Sequence, residues 1–385
     1  MRHENTKFGR RLFLAGAAAT AAVCTVRASQ SSLTASLRDA ASAKGLLFGT
    51  EVNTSVVEDA QFAKLVARES SIVVPGWALK WANLQPSPEK FDFREADSYL
   101  QFAEQNRLLA RGHVLVWHEA IPAWFNSVAN AQNARKLLQG YISTVARRYA
   151  GKLHSWDVVN EIVQIKDGRP DGLRKSPWLE LIGPEYIEMA FHAAHQADPT
   201  AFLVYNEDQL EVENRPTEIK RARVLALIKD LKRKGVPVHA LGIQSHLPAE
   251  GQLGSPNFAR FLTEVSDEGL CILVTEMDVF DQHMVGDIRQ RDRLVAQRYY
   301  DHLSCVLRFP SVKAVLTWGL SNRYTWLAKH NPRQDGLPVR PLPFDAELKP
   351  TPACNTIRQA FEEARVRSSW IPQNTTNSRQ NQPGT

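Results

Sequence analysis

Cysteine is scarce in this chain. Only four occur among 385 residues, at positions 24, 271, 305 and 354. No two of them have a metal-site spacing such as C-x-x-C, so the sequence carries no cysteine metal motif. Cys24 lies in an N-terminal stretch that reads as removable, which leaves an odd number and at least one unpaired thiol. Buried small apolar residues are the simpler reading, with a Cys305–Cys354 or Cys271–Cys305 bridge as the open alternative. An excess of one charge is also lacking. Lys and Arg total 47 against 41 Asp and Glu, a net of +6. Arg2, Lys7, Arg10, Arg11 and Arg27 against Glu4 place +4 of that in the first 28 residues. The +2 that remains gives a nucleic-acid partner no support. Long hydrophobic runs are absent as well: Leu12 to Val26 falls short of the roughly 20 apolar residues of a spanning helix. No solenoid-type repeat and no break in composition divides the chain.

What is present begins with an export signal. Arg10-Arg11-Leu12-Phe13-Leu14 resembles a twin-arginine motif and runs into AGAAATAAVCTV. Residues 1–28 are therefore expected to be a signal peptide, cleaved near Val26-Arg27-Ala28, with a Sec-type signal or an uncleaved anchor as the alternative. The mature protein is then expected in the periplasm or outside the cell, without a membrane attachment. The polar residues 366–385 read as a tail without structure.

Between these ends, apolar runs alternate with helix-like segments. Strand candidates are Gly45–Val52, Ser71–Pro75, Leu108–Trp117, Leu153–Glu161, Ala201–Asn206, Ala240–His246, Ile272–Val279 and Ala314–Leu320. Helix-like segments include Arg94–Gln105, Ala134–Tyr149, Pro184–Gln196, Arg221–Lys234, Asn257–Asp267 and Asp292–Arg308, with Pro184 at a first helical position and Gly235 as a stop. Eight such alternations over residues 29–365 predict an α/β fold, a single (β/α)8 TIM barrel.

Two stretches stand out. In Trp156–Glu161 (WDVVNE) and Ile272–Val279 (ILVTEMDV), an apolar run between turn signals ends on a glutamate. A barrel gathers its strand ends on one rim, where catalytic groups sit. Glu161 and Glu276 thus have the placement that glycoside hydrolysis requires of its two carboxyl groups, one as general acid and one as nucleophile or base. The plainer reading of Glu161 is a turn cap or a partner for an arginine. Other polar residues collect at the remaining strand ends: His113 and His118, Asn160, Asn206 to Asp208, Gln244 and His246, Asp278, and Asn322 with Arg323. His113 reads as structural, whereas His118 and His246 read as functional. Trp318 and Trp326 flank a polar stretch where flat sugar faces could pack.

These residues resemble glycoside hydrolase family ten, mainly retaining endo-β-1,4-xylanases. The likeness runs from about Gly45 to Phe361 and includes LKW at 79–81, RGHVLVWH at 111–118, WDVVNE, GIQSHL at 242–247, VTEMDV at 274–279 and TWGL at 317–320. The resemblance implies that Glu161 is the acid/base and Glu276 the nucleophile. It implies that Lys80, His118, Asn160, Gln244, His246, Trp318 and Trp326 contact the sugar, and that Asp278 supports His246. It implies a polysaccharide or oligosaccharide substrate, a monomer, and neither metal nor organic cofactor. One departure bears on substrate choice. A Pro-Glu-Asn-Glu-like run usually precedes the family's Lys-Trp, whereas this chain has Pro75-Gly76-Trp77-Ala78-Leu79-Lys80-Trp81; Asn322 likewise stands where Asp is common. Xylan or xylo-oligosaccharide is the expected substrate. The rivals are another β-1,4-linked or short decorated oligosaccharide and a carbohydrate-binding barrel without turnover.

Overall fold

The computed structural model describes residues 35–370. The signal-like stretch 1–28, Cys24 and residues 371–385 lie outside them. Eight parallel strands close into a barrel: β1 (Leu47–Val52), β2 (Ile72–Pro75), β3 (Leu109–Gly112), β4 (Ser155–Asn160), β5 (Phe202–Glu207), β6 (Ala240–Ile243), β7 (Cys271–Phe280) and β8 (Val312–Thr317). β1 pairs with both β2 and β8, and β6 pairs directly with β7, which completes the ring. A short extra strand, His246–Pro248, lies along β7 only. The (β/α)8 expectation holds.

The strands form because alternate residues find two different apolar surroundings. Leu47, Ile72, Val74, Val204, Ala240, Leu273, Ala314 and Leu316 fill the barrel interior. Their neighbours Phe48, Val73, Leu203, Tyr205, Ile272, Val274 and Val315 pack outward beneath the helices. The helices take their boundaries from caps. Asn214 accepts from the Thr217 amide, so the helix starts at Arg215 with Pro216 in its first turn, six residues before the expected Arg221. Pro184, by contrast, lies just outside a helix that begins at Tyr186. Several strands are shorter than expected. β3 stops at Gly112, and β6 stops at Ile243 because Ser245 adopts φ 63° and redirects His246 onto β7. Cys271, Cys305 and Cys354 are all free thiols.

The tail expectation needs correction at its start. Residues 366–370 pack against the barrel. The Arg367 side chain donates to the carbonyls of Leu307, Phe309 and Val312, satisfying groups left open after the helix Ile288–Val306. Trp370 stacks on Phe202 with ring centroids 4.1 Å apart, and its carbonyl accepts from His154 Nε2 at 2.8 Å. It joins the interior apolar cluster from the side where the strands begin. A polar composition conceals one arginine and one tryptophan with specific partners. Trp370→Ala is expected to destabilise the protein by about 2–3 kcal/mol, measured by urea unfolding. A cost near zero would show that the plug is dispensable.

Candidate active site

Glu161 follows the last residue of β4 and Glu276 lies within β7, and the strand pairing is irregular just before the first and around the second. Between β4 and β5 the register shifts between Asp157 and Val159, and between β7 and β8 it shifts between Val274 and Met277. An extra residue in one strand re-aims the side chains that follow it. Glu161 itself has φ 53°, a conformation uncommon for a residue with a side chain. Its amide donates to the Asn206 carbonyl at 3.0 Å, and the Arg174 side chain donates to its carbonyl, so the backbone is held from both sides. The Glu276 amide donates to the Gln244 carbonyl at 2.9 Å.

Three amide side chains connect the two carboxyl groups. Asn206 Nδ2 donates to Glu276 Oε1 at 2.7 Å and to Asn160 Oδ1 at 2.9 Å. Gln244 Nε2 donates to Glu161 Oε1 at 2.9 Å and to Asn160 Oδ1 at 3.3 Å, while Asn160 Nδ2 reaches Glu161 Oε1 at 3.2 Å. Thr275 Oγ1 completes the set by donating to Asn206 Oδ1 at 2.8 Å. Gly242 is what lets Asn206 sit there, since a Cβ at that position would lie 2.2 Å from Asn206 Oδ1.

The two glutamates have different surroundings. Burial works to raise the Glu276 pKa. The hydrogen bond from His246 and the nearby charges of His113 and His246 outweigh it, so the carboxyl stays below its ordinary range. His246 Nε2 is 3.4 Å from Glu276 Oε2, and its Nδ1 is 2.8 Å from Asp278 Oδ1. Burial opposes a charge on this imidazole, but Asp278 and Glu276 together raise its pKa well above 6.5. Trp326 Nε1 donates to Asp278 Oδ2 at 2.7 Å and so fixes the carboxylate from behind. On the other side, Glu161 Oε2 is 3.7 Å from Arg174 and 4.0 Å from His118 Nδ1. Burial, and then the Arg174 charge, push the His118 pKa down to about 4, which keeps it neutral near pH 7. The ion-pair reading of Glu161 is therefore present within the same site.

Lys80 lies beneath the rim, its ammonium 4.4 Å from the Trp117 ring centroid and 5.1 Å from that of Trp77. Burial lowers its pKa against the pull of Glu276, Glu161, Glu51 and Glu119. Trp318 stands edge-on to His113, with centroids 5.3 Å apart, and Trp326 is 5.5 Å from His246. All ten expected site residues thus fall in one region. His113 is fastened below it, with Nδ1 3.0 Å from Asp157 Oδ2, and Asp157 also pairs with buried Arg111. Asn322 turns away from the rim, its Oδ1 accepting from the Leu342 amide. Sequence reasoning missed Arg174 and Glu51, which lie in a loop and within an apolar strand, respectively. An amide network between two carboxyl groups, a charged imidazole on one of them and indole rings nearby suit a sugar substrate cleaved between those carboxyls.

Comparison with known proteins gives the same reading. The family model described as "Glycosyl hydrolase family 10" matches residues 36–360. Endo-1,4-beta-xylanase B of Thermotoga neapolitana is 31% identical over 310 residues, covering 80% of this chain and 86% of its own. A thermostable celloxylanase of Thermoclostridium stercorarium is 33% identical over 324 residues, 76% of this chain and 79% of its own. Among solved structures, xylanase 10B from Thermotoga petrophila RKU-1 in complex with xylobiose superposes with a TM-score of 0.77 at 32% identity, covering 85% of this chain and 97% of that one.

Proposed function

The chain belongs to glycosyl hydrolase family 10, and from that premise we propose that it is a retaining endo-β-1,4-xylanase acting on xylan or xylo-oligosaccharides. The observation that carries the proposal is the Asn160–Asn206–Gln244 network, which hydrogen-bonds both Glu161 and Glu276. In the first step a Glu276 oxygen attacks the anomeric carbon while Glu161 gives its proton to the departing glycosidic oxygen. A covalent glycosyl–enzyme ester and a shortened chain result. In the second step Glu161, now ionised, takes a proton from water, and the hydroxide oxygen displaces Glu276 from the same carbon. Two inversions give net retention.

The environments support this division of labour. Glu276 must remain ionised, and its lowered pKa with His246 as donor suits a nucleophile. Asn160, held by Asn206, serves in this reading to hold the 2-hydroxyl of the sugar under attack, a contact that strengthens toward the transition state. Lys80, His118, Trp318 and Trp326 line the rest of the subsites in this reading. Asp278→Asn is expected to shift the acidic limb of the kcat/KM profile to higher pH. Without the Asp278 charge the imidazolium is weaker, the Glu276 pKa rises, and a more alkaline solution is needed to ionise the nucleophile. A pH–rate profile with an unmoved acidic limb would sink that coupling.

Product analysis tests the function itself. Xylan, xylohexaose and cellohexaose are incubated side by side with the protein and with Glu276→Ala as control, and the first anomer released is followed by proton NMR. Short β-anomeric xylo-oligomers, absent from the control, are the expected result. Turnover of cellohexaose alone would favour the second reading, a glycanase for another β-1,4-linked chain, which the altered Gly76-Trp77-Ala78 run motivates. We also propose export through the Arg10-Arg11 signal. Its test is the loss of extracytoplasmic protein on replacing both arginines with lysine.

A further inference from the structure

Glu51 lies on β1, two positions beyond Gly49 and four beyond Leu47, which faces the barrel interior. The period of two along a strand brings Glu51 to the same face, but at the rim. It pairs in register with Val74, so its neighbour across the ladder is the end of β2 and the turn that follows. Its carboxylate is partly buried, and no ion pair to it occurs among the described residues. Burial raises its pKa to about 7. Lys80 and a hydrogen bond from Asn53 pull the other way, and Glu276 adds to the rise. A carboxyl group taken from water without a cation against it costs free energy, and it suits a site whose missing partner is a ligand.

Gly76 explains how the side chain fits. A Cβ at position 76 would lie 2.4 Å from Glu51 Oε1, 2.8 Å from Cγ and 2.9 Å from Cδ. A side chain at position 76 would collide with the Glu51 side chain where it now lies and oblige it to move. The place left open by glycine after Pro75 is filled by a carboxylate from the neighbouring strand. Beside it, Trp77 is 51% exposed, a large indole turned to solvent, with Lys80 between its ring and that of Trp117. A pyranose presents a flat apolar face and a rim of hydroxyl groups. An exposed indole beside a carboxyl and an ammonium answers both features.

The side of the cleaved bond follows from the neighbours. Among the carboxylates, Glu276, the group that attacks the anomeric carbon, acts most strongly on Lys80, ahead of Glu161, and it also acts on Glu51. His118 and Arg174 instead lie against Glu161, which serves the leaving side. We propose that Glu51 is a specificity-determining residue of the subsite next to the cleaved sugar on its non-reducing side, where its carboxyl group and Lys80 hydrogen-bond the hydroxyls of a second xylosyl unit that packs on Trp77. This rests on the xylanase reading. The hydrogen bonds that the run Gly76-Trp77-Ala78 no longer offers are thereby supplied from β1, and the subsite is rebuilt on a different strand.

The test compares 4-nitrophenyl β-xylobioside, which fills this subsite, with 4-nitrophenyl β-xyloside, which does not. Glu51→Ala is expected to lower kcat/KM on the xylobioside by about 10- to 100-fold, the range for lost hydrogen bonds to a charged group. On the xyloside the loss should stay below about 3-fold. Gly76→Glu alone is expected to impair the xylobioside reaction through collision with Glu51. The double variant Glu51→Ala/Gly76→Glu should recover most of what Glu51→Ala lost. Equal losses on both glycosides would assign Glu51 to support of Glu276 and overturn the proposal, as would full xylobioside activity in Glu51→Ala. A wild-type protein that cleaves neither glycoside overturns the xylanase reading along with it, a pattern distinct from a variant that merely matches an active wild type.

Discussion

Glu276→Gln is expected to lower kcat on an aryl β-xylobioside by about 10⁴-fold or more, as loss of a nucleophile does elsewhere. The substitution keeps the size of the side chain and an oxygen for Asn206 Nδ2, which lies 2.7 Å from Glu276 Oε1. Folding and substrate binding should therefore persist while the covalent step is lost. Glu161→Gln should behave differently. Loss of the general acid costs about 10²–10⁴-fold where the leaving group needs a proton, and much less for 4-nitrophenolate, which departs without one. Steady-state kinetics on activated and unactivated xylobiosides separate the two roles. Leaving-group dependence in the Glu276 variant, or none in the Glu161 variant, would exchange or void the assignments. If the wild type binds xylohexaose by calorimetry but turns over nothing, the protein is a sugar-binding barrel.

Asp157→Ala is expected to destabilise the folded protein by about 3–5 kcal/mol, the usual cost of removing one member of a buried ion pair. Arg111, 1% exposed, pairs through Nη2 with Asp157, and its Nη1 has no hydrogen-bond partner among the described residues. His113 Nδ1 lies 3.0 Å from the other carboxylate oxygen. Burial would raise the Asp157 pKa, but Arg111 and His113 overcome it, so the group is held below its ordinary value. Its contribution is then present above the unfolded pKa near 4 and is lost as pH falls through the lower folded value. Urea unfolding at pH 7 measures the cost. A loss under 1 kcal/mol would mean that water reaches Arg111 when the carboxylate is gone.

The two predictions draw on different kinds of information. WDVVNE and VTEMDV can be read directly: an apolar run that stops at a glutamate names the strand and the carboxyl it carries, although β7 runs on past Glu276 to Phe280. The same holds for Gln244 and His246 after ALGI and for Trp318 after AVLT. Each of these signals is local, and alternation along a strand does not depend on which strands lie beside it. Arg174 was not legible, because its role comes from a loop that returns 13 residues later to the Glu161 carbonyl. Nor was the packing of Arg367 and Trp370, whose polar neighbours mask partners more than 50 and 150 positions away.

By itself, then, the amino-acid sequence determined the alternation of eight strands with helices and the two glutamates that follow apolar runs, since both are patterns within a few residues. Only the tertiary structure decided how those glutamates are aimed and what surrounds them. The register shifts before Glu161 and around Glu276 exist only as mismatches between paired strands. The exclusion between Glu51 and Gly76 exists only because β1 and β2 lie side by side. Read along the chain, Gly76 is a missing side chain. Across the sheet it is the space that a carboxylate from the neighbouring strand occupies, because two side chains cannot share one volume.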